Sequence, residues 1–98
     1  MTKQEREFQR SLVKELKKKF EGAIVLKNDP NYIQGIPDLL LLFGKHWAAL
    51  ELKKAKESKH QANQDYYIRK MNKMSYASFV SPENKEEVLH ELEQAFRL

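Results

Sequence analysis

The chain has no cysteine. That excludes disulfides, thiolate zinc sites and cysteine nucleophiles. Its three histidines, His46, His60 and His90, are scattered without ligand spacing, so any metal site must be built from oxygen. It has only three glycines and three prolines, and no low-complexity tract, repeat or linker. No apolar run approaches the roughly 18 residues of a membrane span, and no signal-peptide pattern opens the chain. These absences predict a soluble, intracellular protein. With 98 residues, 41% of them hydrophobic, the chain forms one domain, residues 1–98, with a small core and no room for a separate sequence-reading domain.

Positive charge is abundant and unevenly placed. The net charge is +4. Residues 3–19 hold seven Lys/Arg against three Glu, and residues 53–73 hold seven against Glu57 and Asp65. Residues 83–98 reverse the balance, with five Glu against Lys85 and Arg97. Two basic segments and an acidic tail suggest one face made for a polyanion, although solvated lysines with no partner are also common.

The most informative stretch runs from Gly35-Ile36-Pro37-Asp38 through Leu39–Phe43, across Gly44-Lys45, to His46–Lys53. Two apolar segments flanking a two-residue turn predict a β-hairpin, with Pro37 as the first residue of its strand. If Phe43 pairs with His46, Asp38 falls opposite Glu51 on the same face, with Cβ atoms roughly 4.5–5.5 Å apart. Lys53 shares that face. Facing carboxylates repel, and a hard divalent cation removes the repulsion. The alternative is a surface ladder neutralised by the lysine. A slip of one residue would separate the two acids onto opposite faces.

Pattern and periodicity place the remaining elements. A helix over 3–20 carries the stripe Phe8, Leu12, Leu16 and Phe20 with Val13, and Thr2-x-x-Glu5 is a capping box. Glu5 lies on the buried stripe, so it either caps the helix or reaches a ligand; Glu15 on the flank is the alternative acid. Gly22 suits a C-cap. Ala23–Lys27 forms a first strand, Asn28–Asn31 a turn, and Tyr32–Gly35 a connection in which Gly35 implies unusual dihedrals or a close backbone approach. Leu39–Leu42 predicts a strand covered on both faces, and Trp47 a core residue. Ser58 suits the N-cap of a helix over 59–74 with Tyr67, Ile68, Met71 and Met74 buried. Gln64 extends that stripe toward Lys53, as a half-buried amide or as a group that orients water or phosphate; Gln61 is the runner-up. Tyr76–Val80 forms a last strand. Ser81 and Pro82 suit N-cap and N1 of a final helix with Val88, Leu89, Leu92, Ala95 and Phe96 inward. The order α-β-β-β-α-β-α predicts an α/β fold, a four-stranded mixed sheet flanked by helices, its last two strands parallel. Lys27, Gln34, Lys54, Lys56, Lys59, Arg69 and Lys70 are the candidate DNA contacts, and Tyr32 is a weaker one.

Pro37-Asp38 followed by Glu51-Leu52-Lys53 resembles the PD-(D/E)XK nuclease signature. The fuller pattern, Gly35-Ile36-Pro37-Asp38-Leu39, Leu50-Glu51-Leu52-Lys53 and Gln64, resembles the VRR-NUC branch, over roughly residues 5–81. The resemblance implies a restriction-endonuclease-like core and a Mg²⁺-dependent endonuclease, with Mn²⁺ as substitute. Asp38, Glu51 and the Leu52 carbonyl would hold the metal, Glu5 would complete its shell, and Lys53 and Gln64 would assist. It also implies branched DNA such as a Holliday junction as substrate, a homodimer, and a phage source acting in the host cytoplasm. A nicking or homing-type nuclease on duplex DNA, and a non-catalytic DNA-binding module, are the rival expectations.

Overall fold

The computed structural model describes residues 1–97. Its elements are α1 (Lys3–Lys19), β1 (Ile24–Lys27), β2 (Leu39–Phe43), β3 (His46–Leu52), α2 (Ala62–Met74), β4 (Tyr76–Val80) and α3 (Lys85–Ala95). The strands form one mixed sheet in the order β1-β2-β3-β4. The first three run antiparallel, and β4 runs parallel to β3 after the α2 crossover. The fold is α/β, with three helices on a four-stranded mixed sheet. Among the described residues no helix is long and apolar enough to cross a membrane.

The hairpin register is the one that the sequence predicts: Phe43 pairs with His46 and Leu39 with Leu50. Gly44 has φ +60°, and Lys45, like every non-glycine among the described residues, has a negative φ. Positive φ at the first loop position alone is the pattern of a type II′ turn, which favours Gly there.

One face of the sheet holds the core. Leu39, Leu41, Ala48, Leu50, Leu52 and Val80 pack against Leu12, Leu16 and Phe20 of α1 and Val88, Leu89, Leu92 and Phe96 of α3. Each fully buried leucine contributes about 2–3 kcal/mol. At the hairpin end, Phe20, Phe43 and Phe96 cluster with centroids 5.3–5.9 Å apart. Two ion pairs join α1 to α3: Glu15 to Lys85 at 2.6 Å and Lys19 to Glu93 at 3.2 Å. The opposite face is covered by α2 over β3 and β4 only. Leu40 and Leu42 are therefore half-buried, Ile24 and Leu26 are exposed, and Trp47 is half-buried outside the core. The expectation of a doubly covered β2 fails because α2 does not reach across β1 and β2, and that of a core Trp47 fails because the hairpin end of β3, where it sits, is only half covered.

Several boundaries shift. The capping box of Thr2 and Glu5 is present, but α1 is capped at its end by Phe20, and Gly22, at φ +91°, lies two residues further on. β1 starts at Ile24 rather than Ala23, and β2 at Leu39 rather than Pro37. α2 starts at Ala62: the Ser58 hydroxyl instead accepts from the Ala55 N–H and closes the loop before it. Met74 is exposed, because α2 runs beyond the sheet surface it covers. α3 starts at Lys85 with Asn84 as N-cap; the Asn84 side chain accepts from the Ser81 N–H, so Ser81 and Pro82 belong to a preceding turn. Ala95 is exposed, while Phe96 closes the stripe.

Gly35 has φ +90°, and a Cβ there would lie 2.8 Å from the Asn63 side chain and 2.9 Å from its carbonyl carbon. The chain passes directly under the start of α2, where only Gly fits. Gly35→Ala is expected to cost at least about 1–3 kcal/mol from the dihedral alone, read as a lowered urea midpoint. An unchanged midpoint would disprove the close approach.

Candidate active site

The site forms where β2 and β3 part. The last paired residues there are Leu39 and Leu50, yet β3 continues to Leu52. Past that point the backbone carbonyl of Asp38 turns to β1, accepting from the Asn28 N–H at 2.8 Å. Its carboxylate takes over the place of a ladder partner: Asp38 Oδ2 accepts from the Leu52 N–H at 2.9 Å. Within a strand, a residue's N–H and C=O point to the same side. The Leu52 carbonyl therefore points toward the Asp38 side as well. The Lys53 N–H, on the other side, pairs with the Val80 carbonyl at 2.8 Å.

Glu51 is 5% exposed. Its Oε2 accepts from Gln64 Nε2 at 3.0 Å. Gln64 Oε1 accepts from Lys53 Nζ at 2.8 Å and from the Gln61 N–H at 3.0 Å. Both groups facing that atom are pure donors, which fixes the amide orientation. Lys53 Nζ also donates to the Lys59 carbonyl at 3.2 Å and lies 5.9 Å from the Phe79 ring centre. One network thus runs from Lys53 through Gln64 to Glu51, with Asp38 beside it. Among the described residues, no buried side-chain polar atom lacks a partner.

The two carboxyl groups perturb each other. Burial pushes the Glu51 carboxyl up to about 8, with the charge of Asp38 adding to the rise. Asp38 is also raised, chiefly by burial and further by Glu5, against the opposing Leu52 N–H. Two acceptors face each other there, so a proton or a cation must lie between them near neutral pH. For Glu5, burial favours the neutral acid, but the Thr2 N–H and hydroxyl outweigh it and the carboxyl is lowered overall. Glu5 therefore remains ionised while capping α1.

Glu5, Lys27, Asp38, Glu51, Leu52, Lys53 and Gln64 line a single cavity of about 450 Å³. Met1, Gln9, Asn28 and Pro30 complete it, and nothing in the sequence beyond turn chemistry at Asn28-Asp29-Pro30 points to them. Glu15 is elsewhere, tied to Lys85 on α3, so Glu5 is the acid that α1 presents to the cavity. Gln61 contributes its backbone to the network, not its side chain. Gln34 lines an adjoining cleft with Gly35, Gln61 and Asn63, sharing Pro30 and Gln64 with the main cavity. Lys56 borders a small cleft on the other side of Lys53, with His60 and Phe79. Lys54 and Lys59 are exposed on the same loop. Arg69 and Lys70 lie apart from the cavity, grouped with Tyr66 and Lys73 on the outer side of α2.

Does this donor set fit a divalent cation? Among the described residues, no three Asp, Glu, His or Cys side chains close on one point. A site of two carboxylates and a backbone carbonyl remains. It supplies hard oxygen only, which suits Mg²⁺ or Mn²⁺ completed by water and phosphate. Two carboxyl groups of neighbouring strands, with the Leu52 carbonyl on the same side and one cavity in front of them, fit such an ion.

Compared with known protein families, with curated proteins and with solved structures, the chain finds no match.

The shift at Glu51 fixes a sign. The folded chain holds a proton on Glu51 up to about pH 8, whereas the unfolded chain releases it near 4.5. Folding therefore takes up a proton in that window, and stability falls as pH rises through it. The Tm in metal-free buffer is expected to drop between pH 5 and roughly 8.5. Mg²⁺ or Mn²⁺ should restore it at the upper end. Glu51→Gln should raise the metal-free Tm at high pH and abolish the response to metal. A metal response that survives Glu51→Gln would place the ion elsewhere.

Proposed function

We propose that the protein is a metal-dependent endonuclease that hydrolyses DNA phosphodiester bonds. The observation that carries this reading is the convergence of Asp38, Glu51 and Lys53, with Gln64 bridging the last two, on one cavity. The element order and the mixed sheet agree with the core called for by the resemblance to PD-(D/E)XK nucleases of the VRR-NUC branch, and support the same reading.

Asp38, Glu51 and the Leu52 carbonyl are the oxygens that would hold the ion. The chemistry that a bound Mg²⁺ or Mn²⁺ would supply there is polarisation of a phosphate and a lowered pKa for a water. Lys53 has three donor protons and uses two on Gln64 and the Lys59 carbonyl. The third is free for a phosphate oxygen, where charge grows as the bond to the nucleophile forms. Gln64 holds Glu51 and Lys53 in fixed relation and so orients both. Glu5 adds an ionised carboxylate at the rim, placed to hold a water, and Lys27 adds a cation. Arg69, Lys70 and Lys73 follow one side of α2 at helical spacing and suit a second stretch of phosphate backbone.

These cations address backbone rather than base edges, so the substrate is recognised by shape, which favours branched DNA over a sequence. Symmetric cutting of a four-way junction requires two such sites, and a homodimer supplies them.

Cleavage of four-way junction, flap and linear duplex DNA tests the reading. Activity should require Mg²⁺ or Mn²⁺ and vanish with a chelator. Asp38→Asn and Lys53→Ala should each lower the rate by about 10²-fold or more, with DNA affinity nearly unchanged. DNA binding without cleavage in any metal would make the chain a binding module instead. A preference for linear duplex would favour the nicking or homing-type nuclease.

A further inference from the structure

We propose that the apolar groove beside Tyr32 is a subsite for an unpaired nucleobase, adjoining the cavity that takes the scissile phosphate. The inference rests on the nuclease reading and adds to it a means of telling branched DNA from duplex.

Tyr32 is 84% exposed. With Ile33, Ile36, Leu40 and Met71 it lines a groove of about 430 Å³, bordered by Asn28 and Asp29. Asn28 also lines the cavity that holds Asp38 and Glu51. The two spaces are therefore neighbours across a single residue.

The loop bearing Tyr32 is built rather than loose. The Asn28 N–H donates to the Asp38 carbonyl at 2.8 Å, and Asn28 Nδ2 donates to the Pro37 carbonyl at 2.7 Å. The Asn31 N–H donates to Asp29 Oδ1 at 2.9 Å, and the Tyr32 N–H to the Asp29 carbonyl at 3.2 Å. At the far end Gly35 lies against Asn63. Tyr32 is thus fixed relative to Asp38, through the backbone of Asp38 itself.

The chemistry of the two spaces divides a nucleotide between them. The cavity presents Lys27 and Lys53 beside the carboxyl groups of Glu5, Asp38 and Glu51, so a phosphate is suited there by the lysines together with the cation that the carboxylates would hold. The groove presents an aromatic ring and aliphatic side chains, which suit the uncharged face of a base. In a duplex, base faces are stacked and closed to such a groove. At a branch point or flap an unpaired base is free to enter it. A second copy of the chain is the other occupant to consider, because Ile24, Leu26 and Met74 are also exposed. Continuity with the cavity of Asp38, Glu51 and Lys53, through the shared Asn28, favours the base.

The test uses the full chain in metal-free buffer, so that binding is read without cleavage. Oligonucleotides carry 2-aminopurine either at an unpaired position beside a branch or at a paired position in linear duplex. Quenching of the unpaired probe is expected. Tyr32→Ala should weaken binding of the branched probe by roughly tenfold or more, with duplex binding changed less than twofold. Tyr32→Trp should restore it. Tyr32 is so exposed that its removal leaves the fold intact. Equal binding by wild type and Tyr32→Ala would overturn the subsite. So would a fall in sedimentation coefficient with Tyr32→Ala, which would assign the face to a second copy. Mg²⁺-dependent cleavage measured alongside separates the two readings. Cleavage with no Tyr32-dependent quenching overturns the subsite and leaves the nuclease standing. Tyr32-dependent quenching with no cleavage of any substrate supports the subsite and overturns the nuclease.

Discussion

Two carboxyl groups, one buried and one half-buried, face each other at the wall of one cavity, and much of the surrounding structure exists to tolerate them. Burial alone would drive Glu51 to its neutral form, and Asp38 makes that worse. The opposing contributions are specific and few: the Leu52 N–H on Asp38, the Gln64 amide on Glu51, and the charge of Lys53 beside both. Each depends on a different element. The Leu52 N–H is free only because β2 ends before β3. Gln64 reaches Glu51 only because α2 begins late. Lys53 is aimed by the carbonyl of Lys59, in the loop between β3 and α2. Such an arrangement reduces stability in the free chain, and the cation proposed for the site would offset that cost.

The fold separates that burden from what stabilises the molecule. The face carrying Leu39, Leu41, Leu50 and Leu52 is sealed by α1 and α3, and its core extends to the aromatic cluster at the hairpin turn. The face carrying Glu51 is covered by a single helix with no fully buried residue. Side chains alternate along β3, so Leu50 and Leu52 anchor the strand while Glu51 between them projects into the site. The strand cannot slip without moving two buried leucines into the open, and this is what holds the carboxylate in place.

What could be read from the sequence follows from that division. The hairpin register, the α1 stripe and its capping box depend on local periodicity and turn chemistry, and Asp38, Glu51, Lys53 and Gln64 could be placed together from them. The starts of α2 and α3 could not. Ser58 and Ser81 each look like N-caps, but local turns claim them. Lys59 lies before α2, where its carbonyl meets Lys53, and His60 stacks on Phe79 with ring centres 3.7 Å apart. Asn84 outcompetes Ser81 by closing a turn onto its N–H. The exposure of β2, Trp47 and Met74 has one common reason: hydrophobicity shows that a residue prefers cover, not that another element lies over it.

The open part of the α2 face is therefore informative rather than incidental. A chain of this size could have covered β1 and β2 by placing α2 nearer the middle of the sheet. Gln64 prevents that. It must stay within hydrogen-bond reach of both Glu51 and Lys53, which fixes the start of α2 over β3. Asn72 donates no freedom at the other end, since its side chain accepts from the Ala77 N–H and ties the helix to β4. With both ends held, α2 lies over β3 and β4, and the strip from Ile24 and Leu26 to Leu40 is left uncovered. The exposed groove follows from the geometry that assembles the carboxylate site, so the two lie side by side by construction.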